Sequence, residues 1–376
     1  MSIPRTLASV VLRHKRKGFA NIIYGPRRVG KTVLLWQIAE KLKGSTHLFL
    51  NGDTKEARES LGTTSETALT GLVGSKEVIF IDEAQRIENV GLSLKILIDK
   101  FPEKLFFVTG SSSLALSRGL QETLTGRAIK YRLYPLSTSE INTGVEDYKK
   151  RFSLESQLVY GGYPYLTSLN TNKEKQDYLS SIVEDYLFRD VLSLKSIESP
   201  ETLRKLTTLL AYQIGSVVSL NELSRNLGID VKTVRRYLSL LKQSFIIFEL
   251  GTFSKNLRKE LAKSKKYYFW DLGIRNALTG QLLPLDSRTD IGALWENFLA
   301  VERLKKHEYQ REAVKHYFWR TYEKAEIDWI ETEADKLSAF EFKWQAKKAR
   351  TPKSFRDSYG TEVVGISKEN YLEFVA

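Results

Sequence analysis

A chain of 376 residues, 42% of them hydrophobic and with a net charge of +13, is long enough for two or three domains with cores, and it suits a polyanionic partner wherever that charge is concentrated. No apolar run approaches the roughly 18–20 residues that span a bilayer, and the basic cluster 13–17 precedes a strand-like run rather than a signal-peptide core, so a cytoplasmic protein with no membrane partner is expected. With no cysteine there are no disulfides or thiolate metal sites, and the four histidines (His14, His47, His307, His316) show no ligand spacing, which argues against zinc chemistry.

The first elements surround FANIIYGPRRVGKT, residues 19–32. The apolar run 19–24 predicts a strand and 33–38 an amphipathic helix. Between them Gly25, Pro26, Arg27, Arg28, Val29, Gly30, Lys31 and Thr32 satisfy G-x-x-x-x-G-K-[ST] at every defining position. Small residues let consecutive backbone N–H groups curl around a polyphosphate, and the helix that follows aims its N-terminal dipole at the same anion. Lys31 is therefore expected at the β/γ-phosphates of ATP and Thr32 at a Mg²⁺ ion.

Four further runs, 47–50, 78–81, 105–109 and 128–133, alternate with helical segments as a parallel α/β sheet requires. The run 78–81 leads straight into Asp82 and Glu83, at the strand end where ligands collect in such sheets. Asp82 is expected in the Mg²⁺ shell, and Glu83 is expected to polarise the attacking water. Thr109 and Ser111–Ser113 close the next strand, either to read a γ-phosphate or as a serine-rich turn.

The succession GPRRVGKT, VIFIDEAQ, FFVTGSSS and LTGRAIKYRLYPLSTSE resembles the AAA-type ATPases of a prokaryotic family with an uncharacterised nuclease-like C-terminal domain. The resemblance implies a P-loop, parallel-sheet ATPase core over residues 1–150. It makes Arg127, of the TGR triplet, and Arg118 candidates for charge-stabilising arginines, in cis or from a neighbouring subunit; otherwise each is a salt-bridging surface residue. AAA-type proteins are often rings, so a homo-oligomer is compatible, although nothing in the sequence counts subunits. Residues 151–200, broken at Gly161–Tyr165 and continued by an amphipathic run from Lys173 to Leu194, look like the helical lid that caps the nucleotide in such proteins.

Residues 201–270 have the order of a winged helix. Helical patterns at 203–213, from Ser219, and at 232–242 enclose the turn Gly228–Asp230, and strands at 245–250 and 266–270 flank a basic connector. From Thr202 to Lys266 there are 13 Lys/Arg against 4 Asp/Glu, +9 of the chain's +13. That concentration favours DNA, with Lys232, Thr233, Arg235 and Arg236 on the recognition helix and Lys255, Arg258 and Lys259 in the wing. Winged helices also bind proteins.

The series α-β-β-β-α-β follows over 271–376. Asp328 lies in its second strand and Glu341-Phe342-Lys343 closes the third, twelve residues (329–340) apart. Glu341 and Lys343 share a strand face. The layout resembles PD-(D/E)xK nucleases of restriction-endonuclease-like fold, in which carboxylates, with Glu296 as an additional acid, hold Mg²⁺ and the lysine orients water. Similarity of fold does not carry chemistry with it, so the tail is read either as a nuclease or as a domain that grips DNA or a partner without cutting. Together these features describe an α/β multidomain ATPase that couples ATP state to DNA engagement or remodelling. The alternatives are a nucleotide-switched signalling or assembly protein and an ATP-regulated DNA nuclease.

Overall fold

A computed structural model of the protein describes residues 3–110, 123–184, 199–254, 264–321, 323, 325–346 and 349–376. The chain divides into two units, Met1–Leu136 and Ser137–Ala376.

The first unit is built on five parallel strands, β1 (Ala20–Tyr24), β2 (His47–Asn51), β3 (Val78–Asp82), β4 (Leu105–Gly110) and β5 (Ala128–Arg132), in the order β2-β3-β4-β1-β5. The β3 and β4 positions are buried throughout, which is why both read as unbroken apolar runs rather than as alternating ones. Ile22, Ile79, Ile81, Phe106 and Val108 join Leu94 and Leu97 of the helix Val90–Lys100 in one core. An aromatic stack crosses the sheet from Trp36 through Phe49 and Phe80 to Phe107, with centroids 4.3, 4.4 and 5.2 Å apart.

The second unit has seven strands, β6 (Val217–Val218), β7 (Ile247–Thr252), β8 (Lys265–Phe269), β9 (Lys315–Arg320), β10 (Glu326–Glu333), β11 (Lys336–Phe342) and β12 (Val363–Ile366). Their order is β12-β11-β10-β9-β7-β8-β6. The segment expected to form a winged helix contributes β6, β7 and β8 with the helices Pro200–Tyr212, Leu220–Leu227 and Val231–Gln243; the tail contributes the rest. A short parallel pairing of β7 with β9, Gly251 opposite Tyr317 and Thr252 opposite Phe318, makes the two one sheet.

The first unit ends at Leu136, short of the expected boundary at 150, because the following segment docks elsewhere. Thr138 donates its backbone N–H to Glu302 at 2.6 Å on the long helix Ile291–Gln310. The helix Asp147–Tyr160 is held by Asn276, whose amide donates to the carbonyls of Leu158 and Val159 at 3.0 and 2.8 Å. Gly273 packs so closely on Tyr160 that a Cβ there would meet its carbonyl oxygen at 2.0 Å.

Candidate functional sites

The strand β1 delivers Gly25 beside Leu133, where a Cβ would stand 2.1 Å from the Leu133 carbonyl oxygen, so only glycine fits at the head of the loop. Arg28 and Gly30 turn the loop through left-handed backbone, φ 62° and 90°, and Gly30 caps the helix Lys31–Lys41. The buried Lys31 donates its ammonium to the carbonyls of Gly25 and Pro26 at 3.2 and 2.9 Å, inside the ring of backbone that would surround a phosphate. Thr32 donates its hydroxyl to Asp82 at 2.6 Å, which brings the two oxygen donors expected around Mg²⁺ into contact. Pairing of β3 with β4 places Thr109 against the other Asp82 oxygen, to which its hydroxyl donates. Glu83 follows in left-handed backbone (φ 48°), and its N–H donates to Asp82 and Thr109 at 3.1 and 3.2 Å. Gln85 donates to the Glu83 carboxylate. The structure thus assembles Lys31, Thr32, Asp82 and Glu83 at one strand edge and commits the Thr109 hydroxyl to Asp82.

Arg127 is placed differently. It precedes β5 beside Ala20, at the start of β1, so it lies at the sheet edge opposite the loop, about 15 Å away by strand rise. Its guanidinium pairs with Asp99 at 2.7 Å. From there it does not reach the phosphate loop of its own subunit; the Asp99 pair fits the salt-bridging alternative, and action in trans stays an expectation. Arg118 and Ser111–Ser113 lie outside the described residues.

Two arginines near the loop were not singled out by the sequence, although one of them, Arg132, lies in the stretch LTGRAIKYRLYPLSTSE. Arg5 is buried, and its guanidinium donates to the carbonyls of Val29, in the loop, and Tyr134, past β5, at 2.6 and 2.7 Å. Arg132 pairs in register with Tyr24, next to Gly25, and lies 5.7 Å from the Tyr24 ring. The parallel pairing of β1 and β5 would have pointed to Arg132 but not to Arg5, which lies ahead of the helix Thr6–His14.

In the second unit, Gly228 (φ 65°) ends one helix and Asp230 caps the next, accepting the Thr233 N–H at 2.9 Å and its hydroxyl at 2.7 Å. Thr233 therefore serves the cap. Lys232 and Arg235 are exposed, whereas Arg236 is half-buried over Tyr237 at 5.5 Å. Glu249 takes ion pairs from Lys242 and Lys265 at 2.8 and 3.0 Å, which neutralises part of the basic segment. Lys255, Arg258 and Lys259 lie outside the described residues.

The tail residues do converge. Asp328 lies within a register irregularity in β10, between Ile327 and Ile330, of the kind that re-aims a side chain, and accepts the Phe342 N–H at 2.8 Å. Lys343 pairs with Glu341 at 2.6 Å. Burial and the neighbouring Glu296 and Glu341 push the Asp328 carboxyl up to about 8, against the pull of Lys266 and the Phe342 N–H. Glu296 faces Lys266 at 2.9 Å and the Tyr268 hydroxyl at 2.7 Å, and Lys266 also pairs with Glu326 at 2.6 Å. Burial opposes the charge of Lys266, yet Glu296, Glu326 and Asp328 hold it protonated. Lys266 sits far upstream of the D…ExK run, so no local pattern connects it to these acids.

The histidines, scattered in sequence, are not all scattered in space. Nδ1 of His307 and Nε2 of His316 lie 2.8 Å apart, with Glu331 close enough that the three form a compact set of ligand atoms. Glu331 already accepts two bonds from Arg303, at 2.7 and 2.8 Å, and one from Trp329 at 2.8 Å. Burial lowers both imidazoles to about 4, so the pair is neutral at neutral pH.

Comparisons with known proteins match three stretches of the chain. Residues 17–142 match a family described as "AAA domain"; residues 151–284 and 291–371 match families described as "Domain of unknown function (DUF8612)" and "Domain of unknown function (DUF4143)". An uncharacterized protein of Mycobacterium tuberculosis is 29% identical over 337 residues, 88% of this chain and 70% of its own. Another, of Haemophilus influenzae, is 25% identical over 354 residues, 87% of this chain and 83% of its own. Among solved structures, the Thermotoga maritima RuvB Holliday junction branch migration motor covers 65% of this chain and 85% of its own at 21% identity, with a TM-score of 0.30. By the match over residues 17–142, the first unit is similar to AAA-family, ATPase-like domains. Among the described residues no helix is long and apolar enough to cross a membrane.

Proposed function

We propose that the protein is a Mg²⁺-dependent ATP-hydrolysing AAA-type ATPase that engages DNA through a winged helix and its nuclease-like tail, coupling ATP state to that engagement. The observation that carries the ATPase reading is the contact of Thr32 with Asp82 directly beside the Lys31 loop. In this reading the loop N–H groups of residues 25–32 wrap the phosphates, and Lys31 exchanges the carbonyls of Gly25 and Pro26 for β/γ-phosphate oxygens. Thr32 and Asp82 fit Mg²⁺ as hard oxygen donors, and the ion supplies charge neutralisation at the phosphates. Thr109 holds Asp82 in place, and Glu83, steadied by Gln85, orients the attacking water. Arg127 or Arg118 would act on the phosphoryl charge of a neighbouring subunit in a homo-oligomer.

DNA engagement rests on the +9 charge of residues 202–266 and on the exposed Lys232 and Arg235 of the helix Val231–Gln243. The alternative, a nucleotide-switched assembly protein whose winged helix binds protein, draws on Glu249, which engages the side chains of Lys242 and Lys265 within the segment. ATPase rates measured alone and with duplex, branched and single-stranded DNA separate the two. Stimulation by DNA that fades steeply as salt rises supports the first reading, and a slow rate indifferent to DNA supports the second. Lys31→Ala should abolish hydrolysis, and Glu83→Gln should bind ATP without turning it over; normal turnover in Lys31→Ala would sink the site assignment.

A further inference from the structure

The carboxylates of the tail do not fit Mg²⁺ as they are arranged, and we propose that Lys266 is their resident cation, an internal ammonium that takes the place of a divalent ion and leaves the tail without metal-dependent cleavage. This holds whatever the ATPase acts on.

Lys266 is 0% exposed, and lysine is almost never buried to that degree unless it is paired. Side chains alternate along β8, so Lys266 and Tyr268 share one face and meet Glu296, while Lys265 and Tyr267 turn to Glu249 on the other. The Lys266 ammonium bonds Glu296 at 2.9 Å and Glu326 at 2.6 Å and lies 5.2 Å from the centre of the Phe318 ring. That is a site built for one cation, from a strand outside the D…ExK run.

The acids are already engaged. Glu296 accepts two donors on one oxygen, Glu341 holds Lys343, Asp328 accepts the Phe342 N–H, and Glu326 also faces Arg320 at 3.5 Å. Mg²⁺ demands near-octahedral oxygens at about 2.0–2.1 Å and would have to enter beside two ammonium groups that repel it. Among the described residues, the one trio of His, Asp or Glu with ligand atoms all within 4.8 Å of one another is His307, His316 and Glu331, not this cluster.

The test is Mn²⁺ titration of the nucleotide-free full chain, followed by electron paramagnetic resonance and by melting temperature. The wild type should show no stoichiometric Mn²⁺ site that Asp328→Asn removes, and no Mn²⁺-dependent DNA cleavage that Asp328→Asn removes. Lys266→Met should bind Mn²⁺ about ten-fold or more tightly than the wild type and melt higher in its presence. A wild-type site lost in Asp328→Asn, or a folded Lys266→Met chain indifferent to Mn²⁺, overturns the proposal. Should Lys266→Met fail to fold, the wild-type and Asp328→Asn comparison decides alone. ATP turnover followed in the same samples reports on the phosphate loop separately, so failure of the ATPase reading would not be mistaken for failure of this one.

Discussion

Asp82 is held from two sides, by Thr32 and by Thr109, and the second contact uses a hydroxyl that touches no phosphate in the proposed arrangement. Removing it in Thr109→Val keeps the side chain's shape but frees one carboxylate oxygen. The expected result is about a 10–100-fold loss of kcat, the usual cost of an outer-shell partner, with a raised Mg²⁺ requirement read from the Mg²⁺ dependence of the rate. Arg5 works on the loop from behind. Arg5→Ala would orphan two buried carbonyls and should destabilise the first unit by about 2–4 kcal/mol in denaturant titration. The convergence of Lys31, Thr32, Asp82 and Glu83 was legible in the sequence because one contiguous loop and one strand end carry all four. Arg5 and Lys266 were not, since each meets its partners only through tertiary packing: Arg5 from just ahead of the helix Thr6–His14, Lys266 from a strand that is not a neighbour of the one carrying Glu326.

At the scale of elements, the tail joins two opposite titrations. His307, packed with Glu331, Arg303 and Lys306, and His316 on β9 stay neutral down to about 4, whereas the unfolded chain protonates them below about 6.5. Stability from the neutral pair is therefore complete above about pH 6.5 and is lost as pH falls toward 4. Asp328 on β10 runs the other way: raised to about 8, it holds a proton in the folded state that the unfolded chain has released, so stability declines as pH climbs from about 4 to 8. With two histidines against one acid, the urea midpoint of the second unit should rise to near pH 6.5 and then fall; Asp328→Asn should flatten the alkaline limb. The strands that carry these groups were readable from alternation. The contacts between them were not, because the His307–His316 pair depends on how a helix end, turned by Arg311 in left-handed backbone, meets the strand that follows it.

At the scale of the whole molecule, the pairing of β7 with β9 changes what can be cut from the chain. The expected boundary at 270 falls between elements of one sheet, so a fragment ending there would expose β7 as an unpaired edge and strip Lys266 of its acids. Such a fragment should be insoluble or unfolded, whereas residues 137–376 should melt in one cooperative transition by calorimetry. Two transitions within 137–376 would mean that the shared sheet does not couple its halves.

The aromatic stack of the first unit has an optical consequence. Trp36 is the single tryptophan before Leu136, sits on the helix that begins at Lys31, and is 56% exposed; the other five lie beyond it in sequence, at Trp270, Trp295, Trp319, Trp329 and Trp344. Replacing Trp36 with phenylalanine leaves a tryptophan emission spectrum that belongs to the second unit alone, and subtracting it from the wild-type spectrum isolates a reporter about 1.4 helical turns from Lys31. The wild type and this one variant together therefore give a label for the first unit, to be followed as nucleotide is added, and a separate one for unfolding of the second.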